Sequence, residues 1–202
     1  GPLFFILMFG SLIFQGLPIF FTQERVGFQF INFTIYKFRS MNRTVSGKRI
    51  TEPDDKRITT WGRVLRSLKL DEMPQLLNII KGDMVFVGPR PEVPEYVIAN
   101  QFKYLNVIRP GLSDFASILL RDESRILMEV EDQYTYHDLL RLKCDIADYY
   151  VERKMGYITD ITIVIYTALS IIFPQIINKS FIIPQLKNDL PQWSGFIKKH
   201  CN

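Results

Sequence analysis

The chain has 202 residues, enough to bury one real core, and a net charge of +4 spread along its length. No basic stripe with interleaved base-stacking aromatics stands out, which argues against nucleic acid as a partner, while the modest positive balance suits anionic lipid or an anionic substrate. Cys144 and Cys201 form no CxxC pair and fit a reducing compartment, and His137 and His200, with no HExxH-like spacing, argue against zinc.

Hydrophobic residues make up 47% of the chain and aromatics 13%, high for a soluble chain with 23% charge, and they gather at its two ends. Pro2 to Gln23 holds no charged residue, and Leu3 to Phe9 opens a run approaching the roughly 20 residues of a membrane span. Gly10, Gly16 and Pro18 weaken a simple spanning helix, and a buried core helix is the alternative. The absence of a starting Met, a basic leader and a small-residue cleavage pattern disfavours a secretory signal. Phe33 to Ser40 alternates in a stretch rich in β-branched and aromatic residues, predicting a strand with Lys37 and Arg39 on one face. Thr44 to Asp54 reads as a polar loop flanking the site, followed by Asp55 and Arg57 as a structural pair.

Thr59 or Thr60 is placed to cap a helix whose apolar residues Trp61, Val64, Leu65 and Leu68 fall at i, i+3, i+4 and i+7. Met73, Leu76, Leu77 and Ile80 repeat that spacing in a second helix, with Pro74 in its first turn and Gly82 at its stop. Asp71 and Glu72 would stand at the mouth of this second helix, where free N–H groups and the helix dipole hold Asp ionised and can also receive phosphate oxygens. An isolated Asp-Glu pair is more often a solvated helix start. Here Arg66 precedes the pair and Arg90 follows it, and an ionised carboxylate needs positive charge beside it to admit phosphates. Pro89 and Pro91 stiffen the loop that carries Arg90, favouring a well-placed guanidinium over a plain surface turn. Asp83 is a candidate metal ligand or a turn residue. Arg109-Pro110-Gly111 is a candidate phosphate contact or an ordinary turn.

Arg121 to Asp132 reads as a charged connector. Tyr134 to Lys154 reads as an amphipathic helix with Leu139, Leu140, Cys144, Ala147 and Val151 inward. In the second apolar region, Tyr157 to Phe173, the residues Ile161, Val164, Ile165, Ala168, Leu169 and Ile172 form one apolar helix face, for packing close to the membrane. Asn178 to Asn202 looks irregular, with Trp193, Lys198 and Lys199 as a surface tail or a headgroup contact. No Gly-rich phosphate loop, internal repeat or low-complexity tract is present.

The ordered run Gln23-Glu24-Arg25-Val26-Gly27, Tyr36-Lys37-Phe38-Arg39-Ser40-Met41, Asp55-Lys56-Arg57-Ile58-Thr59, Gly62-Arg63-Val64-Leu65-Arg66, Leu70-Asp71-Glu72-Met73-Pro74-Gln75-Leu76, Gly82-Asp83-Met84, Val87-Gly88-Pro89-Arg90-Pro91 and Arg109-Pro110-Gly111 resembles the monotopic bacterial phosphoglycosyl transferases, also called bacterial sugar transferases. Tyr149-Tyr150-Val151 matches more loosely, so the resemblance covers nearly the whole chain. It implies an α+β fold: a small, mostly helical catalytic domain with short strands, an N-terminal re-entrant membrane helix and amphipathic membrane-interface helices. Residues 1–22 would be the return half of the re-entrant helix, with Pro2 at its break and the incoming half before residue 1. Residues 23–177 would form the catalytic domain and 178–202 a C-terminal extension.

The resemblance further implies that Asp71 attacks the β-phosphate of a UDP-sugar, releasing UMP, and that polyprenyl (undecaprenyl) phosphate accepts the sugar phosphate from it. That is the first membrane step of bacterial glycoconjugate assembly. Glu72 would hold metal or orient phosphate, Asp71 and Glu72 would bind Mg2+, and Lys37, Arg39, Arg66, Arg90 and Arg109 would neutralise phosphate charge. The implied place is the bacterial inner membrane, with the site on its cytoplasmic face and membrane lipid as a partner. Whether two chains form a homodimer is open. Departures from the family pattern fall after Gly111, where Asp114 replaces a Gly and Ser117 a Gln, leaving the sugar unassigned. Two other classes compete: a non-catalytic membrane scaffold, which gives no reason to group Asp71, Glu72, Arg66 and Arg90, and a magnesium-dependent phosphohydrolase, which would need no lipid.

Overall fold

The computed structural model describes residues 1–42, 55–121, 123–130, 136–153, 156–173, 177 and 183–201, so the loop expected at Thr44 to Asp54 lies outside the described residues. Helix α1 spans Pro2–Gln15 and is followed by an antiparallel hairpin, β1 (Phe20–Val26) and β2 (Asn32–Phe38), with Gln23 opposite Ile35. Then come α2 (Thr60–Ser67), a 3₁₀ turn (Leu70–Gln75), α3 (Leu76–Lys81) and β3 (Val85–Val87). Strand β4 (Gly111–Ser113) lies parallel to β3, and α4 (Phe115–Leu119), α5 (Glu123–Val130), α6 (Tyr136–Glu152) and α7 (Tyr157–Ile172) follow. Helices α8 (Ile183–Asp189) and α9 (Ser194–His200) end the chain. The fold is a mixture of helices and short strands, as expected.

Local chemistry explains the boundaries near the site. The Thr59 hydroxyl accepts the Gly62 N–H at 2.9 Å and so caps α2. Gly62 sits where a Cβ would come within 2.0 Å of the Ser40 carbonyl oxygen, so only glycine lets α2 close onto the chain leaving β2. Gly82, at φ 82°, ends α3 in the left-handed region that glycine enters without strain. β3 and β4 approach so closely that a Cβ on Gly111 would stand 2.2 Å from the Gly88 nitrogen. The Pro110-Gly111 of the RPG run is therefore a close packing of two backbones, with Gly111 opening β4.

Helix α6 threads two cores. Leu139, Leu142, Ile146 and Tyr149 join α4, Ile163 of α7 and the C-terminal helices, while Leu140, Cys144 and Ala147 join Val26, Phe102 and Leu105. A third cluster gathers Leu7, Phe38 and Leu65, with Leu70 and Met73 packed against it. Residues 183–201, expected to be irregular, are largely helical. Ile183, Leu186, Leu190, Phe196, Ile197 and Cys201 enter the first core, and Trp193 Nε1 donates to Asp145 Oδ2 at 2.6 Å. Helices this short, in a segment carrying Pro184 and Pro191, show too few turns for periodicity to reveal them.

The apolar faces of α1 and α7 are the reverse of ordinary core helices. On α7 only Ile163 and Ser170 are buried, while Ile161, Val164, Ile165, Leu169 and Ile172 are exposed. On α1, Leu7 and Ser11 are buried, and Phe5, Ile6, Phe9, Ile13 and Phe14 are exposed. Among the described residues no helix is long and apolar enough to cross a membrane.

Two outcomes test this packing. Gly111→Ala forces the ribbon apart and should destabilise the protein by about 3 kcal/mol in urea unfolding, an overpacking cost. Burial pushes the Cys144 and Cys201 thiols up to about 12, so at pH 7.5 the folded protein should resist a disulfide-exchange reagent that labels both cysteines after denaturation.

Candidate active site

The site is built where the 3₁₀ turn crosses β2. Lys69, at φ 56°, turns the chain sharply after α2. A 3₁₀ turn eclipses side chains at i and i+3, so Leu70 and Met73 share a face, and both pack on the cluster of Leu7, Phe38 and Leu65. That anchoring buries Asp71 and Glu72 beside the strand, at 8% and 9% exposure, so they do not stand at a solvated helix mouth. The expected second helix starts only at Leu76, and its outer residues Leu77 and Ile80 are exposed while Asn78 is fully buried.

Glu72 is the hub. Lys37 Nζ of β2 donates to its Oε1 at 3.2 Å, Arg90 Nη1 donates to its Oε2 at 3.1 Å, and Arg90 Nη2 closes a second bond to Oε1. Burial alone would raise the Glu72 carboxyl, but the charges of Arg90 and Lys37 overcome it and hold it well below the usual range. Asp71 behaves oppositely. Burial and then the neighbouring Glu72 carboxylate push it up, against the pull of Lys37, Lys69 and Arg66. The helix mouth was expected to keep Asp71 readily ionised; instead its Oδ1 is buried with no hydrogen-bond partner. Burial also lowers Lys37, with the Glu72 charge opposing.

The loop that carries Arg90 is strapped to the hairpin. Val26 N donates to Glu92 O at 2.9 Å, and Arg25 Nη1 reaches both Pro91 O at 3.2 Å and Glu92 Oε1 at 3.1 Å. Asn78 ties α3 to the other edge: its Nδ2 donates to Thr34 O at 2.7 Å and to Asp83 Oδ2 at 3.1 Å, and its Oδ1 accepts from Tyr36 N at 3.3 Å. Asp83 is thus a turn residue held by Asn78.

Of the basic candidates, Lys37 and Arg90 bond Glu72, and Arg66, in the last turn of α2, acts on Asp71 through its charge. Arg39 is directed elsewhere. Its Nη2 donates to Gly16 O at 2.9 Å and to Gln15 O, closing the C-terminus of α1. Arg109 is exposed and lies over the Phe28 ring, 5.6 Å from its centroid, in a separate groove. Asp55 and Arg57 form the expected pair, with Arg57 Nε 2.9 Å from Asp55 Oδ1. One contributor was not singled out from sequence and another was noted only as a departure from the family pattern. Lys69 acts by charge on both carboxylates, and Asp114, the buried N-cap of α4, acts on Arg90. Lys69 lies three residues from Glu72, the spacing that could have flagged it. The link from Asp114 to Arg90 gave no signal in the sequence.

Among the described residues no group of three or more His, Cys, Asp and Glu could hold a metal ion. Magnesium asks for less: one or two carboxylates, with water and substrate phosphates completing the shell. The orphaned Asp71 Oδ1 and the Glu72 Oε2, which takes one hydrogen bond of the two it can accept, fit such a sparse set.

Comparison with known proteins gives a consistent picture. Over 151 residues, 66% of this chain, it is 38% identical to the UDP-N-acetylgalactosamine-undecaprenyl-phosphate N-acetylgalactosaminephosphotransferase of Aeromonas hydrophila, covering 35% of that protein. It is 42% identical over 105 residues to the uncharacterized sugar transferase EpsL of Bacillus subtilis, covering 51% of this chain and 52% of that one. It is 31% identical over 180 residues to the UDP-glucose:undecaprenyl-phosphate glucose-1-phosphate transferase of Xanthomonas campestris, covering 85% of this chain and 35% of that one. The chain therefore spans between about a third and about half the length of these relatives. A family model described as bacterial sugar transferase matches residues 1–174, and the chain belongs to that family.

Proposed function

We propose that the protein transfers a sugar 1-phosphate from a UDP-sugar to undecaprenyl phosphate through a phosphosugar carried on Asp71, releasing UMP. The observation that carries this reading is a buried carboxylate with an unpartnered oxygen, Asp71, held beside a Glu72 that already gathers Arg90 and Lys37. The names of relatives in Aeromonas hydrophila and Xanthomonas campestris point to the same donor and acceptor classes.

In this reading an Asp71 oxygen bonds to the sugar-bearing phosphorus while the bond from that phosphorus to the bridging oxygen breaks, and UMP leaves with that oxygen. A phosphate oxygen of the lipid then attacks the same phosphorus, the bond to Asp71 breaks, and the carboxylate is restored. Covalent catalysis splits one transfer between two bulky anions into two steps, each admitting a single phosphate. Burial makes Asp71 more basic than a surface aspartate and, once ionised, a better nucleophile. Glu72 keeps Arg90 and Lys37 gathered before substrate arrives, so little reorganisation is needed when charge shifts among the phosphoryl oxygens. Arg66 and Lys69 extend this positive surround. Magnesium, held by Asp71 and Glu72 with substrate phosphates, would supply further neutralisation of the diphosphate. The exposed apolar residues of α1 and α7 would rest in the cytoplasmic face of the bacterial inner membrane.

The test is UMP release from a panel of UDP-sugars by full-length protein in nanodiscs, with and without undecaprenyl phosphate and magnesium. Lipid-dependent turnover to a lipid-linked sugar supports a transferase, and free sugar phosphate would identify a phosphohydrolase. Asp71→Asn should reduce turnover by about a thousandfold or more and abolish any trapped phosphosugar, since loss of a nucleophile removes the covalent route. Full activity in that variant would remove Asp71 from the role. Arg90→Lys should lower kcat/KM by about tenfold to a hundredfold with the fold intact by circular dichroism, because a point charge replaces a two-pronged guanidinium.

A further inference from the structure

A groove of about 730 Å³ lies beside the β3/β4 ribbon and has no role in the chemistry above. Its walls include Phe28, Phe86, Val107 and, from α7, Ile161, Val164 and Ile165. Its polar groups are Arg109, which lies over the Phe28 ring, and Asp160, whose carboxylate accepts the Tyr150 hydroxyl. Phe86 and Val107 are 56% and 63% exposed, so the groove presents apolar surface that no other part of the described residues covers. Its volume falls within the roughly 300–1,000 Å³ of small-molecule sites.

Three observations bear on its occupant. Val87 lines the groove and Arg90 follows three residues later, so their Cα atoms stand no more than about 11 Å apart. The groove is therefore within reach of a molecule whose phosphate is at Arg90. The backbone carbonyl of Arg109 packs against Gly88, two residues before Arg90, so the segments that carry these two arginines meet at the Gly88-Pro89 corner. Beyond the groove α7 continues as an exposed apolar stripe through Ile158, Leu169 and Ile172, so an apolar chain leaving the groove meets further apolar surface. A nucleoside would find few hydrogen-bonding partners in such walls.

We propose that this groove takes the prenyl units nearest the phosphate of the acceptor lipid, with Arg109 receiving that phosphate on its way to Asp71. The proposal rests on the transferase reading, and the two half-reactions separate them. Full-length wild type, Phe86→Ser and Val107→Ser are compared in nanodiscs of one lipid composition, using a UDP-sugar that the wild type turns over. Single-turnover UMP release without acceptor should stay within about twofold of wild type, while the KM for undecaprenyl phosphate rises about tenfold, as expected when apolar contacts in a pocket are lost. The KM for a short prenyl phosphate should rise by a similar factor, because the units nearest the phosphate are common to both lipids. An unchanged acceptor KM would overturn the proposal. So would a loss confined to UMP release, which would give the groove to the donor, or a change in oligomeric state alone, which would give it to a second copy. Absence of UMP release from wild type across the whole panel of UDP-sugars would overturn the transferase reading and the groove assignment with it. Wild-type protein labelled with a photoreactive prenyl phosphate provides a check independent of folding: crosslinks at Phe86, Val107 or Val164 support the groove, and crosslinks confined elsewhere overturn it.

Discussion

The site depends on one buried cluster of opposite charges, Glu72 with Lys37 and Arg90. Each partner comes from a different part of the chain: β2, the 3₁₀ turn and the loop after β3. Taking a carboxylate and two cations out of water is costly, and removing one member of such a cluster typically costs about 3–5 kcal/mol because it strands the others. The cluster therefore joins three segments as well as gathering charge. It also leaves Asp71, the adjacent residue, with a buried oxygen that has nothing to bond. Glu72 is bonded at both oxygens, and its neighbour Asp71 keeps one oxygen without a partner.

The scaffold around this cluster restricts movement at each approach. Asn78 fastens α3 to β2 and to the turn at Asp83, Arg25 and Val26 fasten the Pro89 to Val93 loop to β1, and Arg39 fastens the hairpin to α1. Gly62 and Gly111 permit approaches of backbone to backbone that no other residue allows. The result is a polar site set in a rigid frame whose outer faces, on α1, α7 and the groove, are apolar. A polar cluster framed by exposed apolar helices is the arrangement that the proposed transfer from an ionic donor to a lipid requires.

Reading the residues in order located much of this. The capped α2, the β2 strand, the stop at Gly82, the Asp55 and Arg57 pair and the grouping of Asp71, Glu72, Lys37 and Arg90 all appear as expected. These features are local, or are ordered motifs whose residue types carry a recognisable chemistry. The placements that residue order did not reveal share a cause. Arg39 and Lys37 are two residues apart on a strand and equally basic, yet one reaches Glu72 and the other turns to the carbonyls of α1. Arg109 is basic and close to a turn, yet it lies over Phe28 in another groove. Lys69, Asn78 and Asp114 matter only because of what the fold brings to them.

The sequence by itself determined the family, the elements near the site and the residue types available for phosphate chemistry, because periodicity, caps and motif order are properties of neighbouring residues. Tertiary structure alone decided which cations meet Glu72, which way the Asp71 carboxyl shifts, which faces of α1 and α7 are left bare, and that the final residues close the core. Those outcomes depend on burial and on distances between segments far apart in the chain, where a difference of a few ångströms separates an ion pair from a solvated charge.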